Sequence, residues 1–110
     1  FFPLQMGAVS ALSQSKDWFK NLNYEYSKRR KLVWELADKL NCDFSRSSSG
    51  MFVWAKLKSN KTSIDYVDSL LNEKGIFIAP GSIFGSNGEG YVRISLCNSE
   101  TNIKKAISRL

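Results

Sequence analysis

A glycine-rich loop set between two short apolar runs is the feature that most constrains this chain. The stretch Gly75-Ile76-Phe77-Ile78-Ala79-Pro80-Gly81-Ser82-Ile83-Phe84-Gly85-Ser86-Asn87-Gly88-Glu89-Gly90-Tyr91-Val92-Arg93-Ile94-Ser95-Leu96 carries four of the seven glycines in its loop. Under the two-residue period of a strand, Val92, Ile94 and Leu96 fall on one face of the second run, and Tyr91, Arg93 and Ser95 fall on the other. An arginine in mid-strand is costly to bury unless an anion meets it, either a neighbouring Asp or Glu or a ligand. The glycine spacing fits neither a P-loop, which needs Gly-Lys-Ser/Thr, nor a dinucleotide fingerprint, since a strand rather than a helix follows. A structural turn is therefore favoured over a phosphate cradle. Asn87-Gly88 is a hairpin signal, but the loop is too long for a two-residue hairpin.

At 110 residues the chain is one domain's worth, able to bury roughly two-thirds of its unfolded surface. No apolar run approaches the ~20 residues that span a bilayer, so no membrane partner is expected. The chain opens on Phe1-Phe2-Pro3-Leu4 and is expected to be a fragment of a longer polypeptide. With no histidine, Cys/His zinc sites, histidine general bases and serine or cysteine triads are excluded. Cys42 and Cys97 form no CxxC pair and are expected to be buried, reduced thiols of a cytoplasmic protein. The net charge of +6 comes from 16 basic and 10 acidic residues. Its densest cluster, Lys28-Arg29-Arg30-Lys31, is spread around a helix, so a solvated surface is favoured over a nucleic-acid or membrane site.

In chain order, Leu4 to Leu12 is helix-compatible, and Asp17 can cap a second helix from about Lys16 to Leu40. Trp18, Leu22, Tyr26, Arg29, Val33, Leu36 and Leu40 recur there at spacings of four and three, a long amphipathic stripe suited to bridging two bodies of structure. Asn41 to Gly50 reads as a loop. Met51 to Leu57 reads as a strand whose apolar residues on both faces suggest cover on both sides. Thr62 or Ser63 caps a third helix that ends at Gly75. Strand Ile76 to Ala79, the glycine loop and strand Tyr91 to Leu96 follow, and Ser99 caps a last helix through Ile103, Ala106, Ile107 and Leu110. The fold class is α+β: a small three-stranded sheet packed with helices and preceded by a long helix of interdomain type.

The run Gly75-Ile-Phe-Ile-Ala-Pro-Gly-Ser-Ile-Phe-Gly, followed by Gly88-Glu-Gly-Tyr-Val-Arg-Ile-Ser-Leu, resembles the C-terminal segment of class I/II aminotransferases. These are pyridoxal-phosphate enzymes of fold type I, in the aspartate aminotransferase superfamily. Other landmarks agree in order: Gln5 and the small residues after it, Tyr26-x-x-Arg29-Arg30 on the interdomain helix, Ser49-Gly50-Met51-Phe52-Val53-Trp54, and Ala106 to Leu110. The resemblance spans essentially the whole chain.

That resemblance implies residues 1–15 as a residual large-domain helix and linker, and residues 16–110 as the C-terminal small domain. It makes Arg93 the arginine that binds the substrate α-carboxylate. Phe84 stands near the substrate entrance, as a wall of it or as packing alone. The lysine that joins pyridoxal 5'-phosphate, and the cofactor's other anchors, are implied upstream, so this chain should carry no catalytic or cofactor-binding residue and be inactive alone. The implied partners of the whole protein are an amino acid, a 2-oxo acid and a second copy in a homodimer. A lyase, or a regulator with an aminotransferase-like sensor domain, remains the alternative for the same fold.

Overall fold

The computed structural model describes residues 1–110. Pro3 stands in the first turn of α1 (Phe2–Leu12), where its missing N–H leaves no hydrogen bond unmade. Side-chain hydroxyls then set where the other helices begin. Ser15 accepts from the Trp18 N–H at 3.2 Å and opens α2 (Lys16–Lys39). Thr62 accepts from Asp65 N–H at 3.1 Å at the start of α3 (Ser63–Lys74). Ser99 accepts from Asn102 N–H at 3.2 Å at the start of α4 (Glu100–Ser108). Each cap satisfies a donor that a helix start leaves unpaired. The cap of α2 is Ser15 rather than Asp17, whose carboxylate pairs instead with Lys20 at 3.3 Å.

The sheet has four strands, β1 (Cys42–Phe44), β2 (Phe52–Leu57), β3 (Ala79–Pro80) and β4 (Tyr91–Ser95), all antiparallel in the order β1-β2-β4-β3. This corrects the expected three strands and the loop expected across Asn41 to Gly50. Asn41 takes a left-handed conformation (φ 54°), turning the chain out of α2 so that Cys42, Asp43 and Phe44 pair with Leu57, Lys56 and Ala55. The strand expected over Ile76 to Ala79 joins the ladder only at Ala79. Its start is occupied elsewhere: Gly75 (φ 62°) caps α3, Ile76 N–H donates to Leu70 O at 3.5 Å, and Arg109 Nη1 donates to Gly75 O at 2.8 Å.

Helices α2, α3 and α4 cover one face of the sheet. Val33, Leu36, Ala37 and Leu40 from α2, Val67 and Leu70 from α3, and Ile103 and Ile107 from α4 meet Val53, Ala55, Leu57, Val92, Ile94 and Leu96 in one continuous core. Each such side chain gains roughly 1.5–3 kcal/mol from leaving water. Cover on both sides, expected for β2, is not found: Phe52 and Trp54, on the other face, stay exposed. Cys42 is buried as expected, and desolvation pushes its thiol up to about 11. Cys97 is exposed.

Arginines tie these parts together. Arg29 Nη1 reaches Leu96 O at 3.4 Å and Arg30 Nη2 reaches Gly50 O at 2.7 Å, so the Tyr26-x-x-Arg29-Arg30 segment grips the chain at the ends of β4 and β2. Arg46 meets both carboxylate oxygens of Asp38, at 2.9 and 2.7 Å. The N-terminal half of α2 and all of α1 project beyond this body. The radius of gyration is 16.4 Å, above the ~13 Å of a compact chain this long.

Candidate functional site

The face of the sheet left open by the helices carries Phe52, Trp54 and Lys56 from β2 and Tyr91, Arg93 and Ser95 from β4. Alternation places them there, and the register sets Trp54 directly opposite Arg93 and Phe52 opposite Ser95. Ala79 of β3 flanks Arg93 on its other side. Arg93 is thus in the third of four strands with a strand on each side, which fixes its backbone on both edges.

The glycine loop comes down onto this face. It forms two short 3-10 turns, Gly81–Phe84 and Ser86–Gly88. Gly81 and Gly88 touch backbone to backbone, and a Cβ on either would run into the carbonyl oxygen of the other. Glycine is needed at both for contact rather than for φ. The structural-turn reading of the loop is the one observed. Closing its base there leaves Ile83 and Phe84 at its tip.

Phe84 and Phe52 flank the Arg93 guanidinium, their ring centroids 4.1 and 4.2 Å from its central carbon. Both lie within cation–π range. Trp54 meets Phe84 edge-on at 5.9 Å and stacks on Tyr91 at 5.5 Å with planes 14° apart. The result is a half-exposed arginine set in an aromatic tray of Phe52, Trp54, Phe84 and Tyr91.

The other four arginines each donate within the chain, Arg29 to Leu96 O, Arg30 to Gly50 O, Arg46 to Asp38 and Arg109 to Gly75 O. The Arg93 guanidinium donates to nothing in the chain, and no carboxylate comes within 4.0 Å of it. Of the two anions that sequence reasoning left open for it, a neighbouring Asp or Glu is not the one found. A planar, permanently charged fork with unused N–H groups is suited to a carboxylate, which takes two parallel hydrogen bonds from it.

Arg93 and Phe84, singled out from sequence, are brought together. The tray residues Phe52, Trp54 and Tyr91 were missed as a group. Their signal was present, since alternation puts all three on the Arg93 face, but Phe52 and Trp54 read as buried cover. Glu89 was missed too. Its carboxylate accepts from Ser63 N–H at 2.7 Å and Gly90 N–H at 3.0 Å, and these bonds hold its pKa below the ordinary 4.5.

Comparison with known proteins agrees with this architecture. The chain is 36% identical over its full length to an LL-diaminopimelate aminotransferase of Maridesulfovibrio salexigens, covering 28% of that protein. It is 30% identical, over 97% of the chain and 28% of the relative, to an aspartate aminotransferase of Pyrococcus abyssi. Among solved structures, the aromatic aminotransferase of Pyrococcus horikoshii superposes with a TM-score of 0.80 at 30% identity, over 93% of this chain and 28% of that one. The chain thus spans a little over a quarter of the length of the relatives it matches. Residues 3–110 match the family model for aminotransferase class I and II, and the chain belongs to that family.

Proposed function

We propose that the whole protein is a pyridoxal-phosphate-dependent aminotransferase, moving an amino group between an amino acid and a 2-oxo acid, and that Arg93 binds the substrate α-carboxylate. One observation carries the assignment of Arg93: it is the single arginine of the chain with no acceptor of its own, and it sits on the face the helices leave open. The guanidinium would take the carboxylate through two charge-assisted hydrogen bonds and so fix the orientation of the amino acid. The flanking rings of Phe52 and Phe84 would keep water from competing for those donors, and Phe84 would form a wall of the substrate entrance.

The cofactor supplies the electron sink for amino-group transfer. The residues of this chain do not fit the task of holding it. That chemistry needs a lysine amine in a desolvated site, and here every lysine is exposed except Lys28, which is half-buried and paired with Glu25 at 2.8 Å and Glu100 at 3.4 Å. The carboxylate partners raise the Lys28 pKa, the hydrogen bond to Glu25 foremost, opposite to what a nucleophilic amine requires. The chain alone should therefore carry no transaminase activity.

Residues 1–15 are assigned to the packing of a large domain and residues 16–110 to the small domain. The unburied apolar residues of α1 support this division. We also take the whole enzyme to be a cytoplasmic homodimer, as its family resemblance implies. The relatives are diaminopimelate, aspartate and aromatic aminotransferases, which have the amino-acid class of substrate in common.

Kinetics of Arg93 variants in the full-length enzyme test the assignment. Two charge-assisted hydrogen bonds are worth ~1.5–3 kcal/mol each, so Arg93→Ala should lower kcat/KM by about two to four orders of magnitude. Arg93→Lys should recover little, because a point charge cannot reproduce the fork. A variant that melts earlier while its folded molecules bind substrate normally would refute the role.

A further inference from the structure

Glu89 stands four residues before Arg93 and makes its hydrogen bonds on the far side of the glycine loop, at the start of α3. Oε1 accepts from the Ser63 N–H at 2.7 Å and the Gly90 N–H at 3.0 Å, and the Ser63 hydroxyl lies 3.2 Å from Oε2. That hydroxyl is also 3.0 Å from the hydroxyl of Ser82. Ser63 is the one fully buried polar side chain of the core, so its partners are not readily replaced by water. Ser82 lies in the turn Gly81–Phe84.

The carboxylate therefore ties the returning arm of the loop to the start of α3 through Ser63, and its contact with the Ser63 hydroxyl sets the group that meets Ser82 on the outgoing arm. The tip of the loop is open to solvent, with Ile83 63% and Phe84 46% exposed. Yet it is Phe84 that stands 4.1 Å from the Arg93 guanidinium.

We propose that Glu89 is a positioning residue for the Arg93 site, holding the loop so that Phe84 keeps the guanidinium aligned and shielded. The inference rests on the reading of Arg93 as the carboxylate binder. Releasing the latch would let Phe84 leave the guanidinium, and carboxylate binding would then have to order that side chain anew. Ordering costs of that kind correspond to about two- to tenfold in affinity.

The test uses the full-length protein, with propionate as a bare carboxylate probe and propylamine as its carboxylate-free counterpart. Dissociation constants and hydrogen exchange across residues 81–88 are measured for Glu89→Ala, Glu89→Gln, Ser82→Ala and Arg93→Ala. We expect Glu89→Ala to bind propionate about two- to tenfold more weakly, with propylamine unchanged and exchange in the loop faster. Glu89→Gln, which keeps an acceptor for the Ser63 N–H, should restore most of the loss. Should Glu89→Ala fold poorly, Ser82→Ala cuts only the outgoing link and carries the same expectation at the lower end of that range. Unchanged propionate binding with a loosened loop would overturn the inference, and so would equal losses for both probes. In either case a loss of propionate binding in Arg93→Ala would leave the carboxylate role of Arg93 standing. Wild-type propionate binding in Arg93→Ala would instead remove that role, and the inference with it.

Discussion

Val53 and Ala55 on β2 and Val92 and Ile94 on β4 are at most 4% exposed beneath the helices, while Phe52 and Trp54, their immediate neighbours in sequence, are 43% and 40% exposed on the opposite face. The same strands thus present two surfaces of different chemistry. The covered face is aliphatic, and its arginine neighbours (Arg29, Arg30 and Arg109) each donate to a backbone carbonyl. The open face is aromatic and holds the one arginine with nothing to donate to. Alternation alone separates a surface that keeps the domain folded from one suited to meeting a ligand.

Exchanging the roles of the two faces should fail in opposite ways. Arg93→Ala should cost kcat/KM its two to four orders of magnitude in the full-length enzyme while leaving the melting temperature nearly unchanged. Ile94→Ala, one residue away and buried, should do the reverse. It should lose about 2–5 kcal/mol of stability, read by denaturant unfolding, while the molecules still folded keep their substrate KM. If Ile94→Ala raised KM as much as Arg93→Ala does, the division between faces would be wrong.

A smaller effect is expected from the loop that joins them. Gly88→Ala forces a Cβ into the Gly81 carbonyl and should cost about 1–3 kcal/mol, as overpacking does. Its consequence for carboxylate binding should follow from displacement of Phe84. Smaller again is Ser15→Ala, which removes the cap of α2 far from both faces. About 1 kcal/mol of local helix stability should go, visible as faster hydrogen exchange near Trp18 and with no change in catalysis.

The Glu89 latch adds a pH dependence. Its folded pKa lies below the ordinary 4.5, chiefly through the Ser63 backbone hydrogen bond. A carboxylate shifted in that direction contributes its full stability above the unfolded value and loses it as pH falls through the folded value. Unfolding midpoints of wild type and Glu89→Gln should therefore converge as the pH is lowered below about 4.5 and stay apart above it, the wild type being the more stable. Midpoints equally far apart at every pH would show that ionisation of Glu89 adds nothing to what a neutral acceptor supplies there.

The elements with strong local chemistry were legible in the sequence. Thr62, Ser99 and Gly75 bound α3 and α4 as their side chains or φ require, and the alternation of Tyr91 to Leu96 put Arg93 on the right face. What escaped depends on contacts between distant positions. Strand β1 is three residues long, too short for a periodic signal, and exists because Asn41 turns left-handed. The run at Ile76 is apolar and extended, but its backbone is claimed by the end of α3 and by Arg109, 33 residues further on. At the site, the sequence pointed to Arg93 and Phe84 separately. Their pairing, the facing Phe52 and the bond from Ser63 to Glu89 arise only once the loop folds back on the sheet.

The central claim is that the open face reads a carboxylate through Arg93. The most direct measurement is a cycle in which the arginine and the carboxylate are removed in turn. It compares kcat/KM for an amino-acid substrate and for the amine lacking its carboxylate, in the full-length wild type and in Arg93→Ala. If the two groups meet, wild type should prefer the amino acid by about a hundredfold or more over its preference in the variant, because the pair contributes only when both are present. Equal preference in the two proteins would contradict the account.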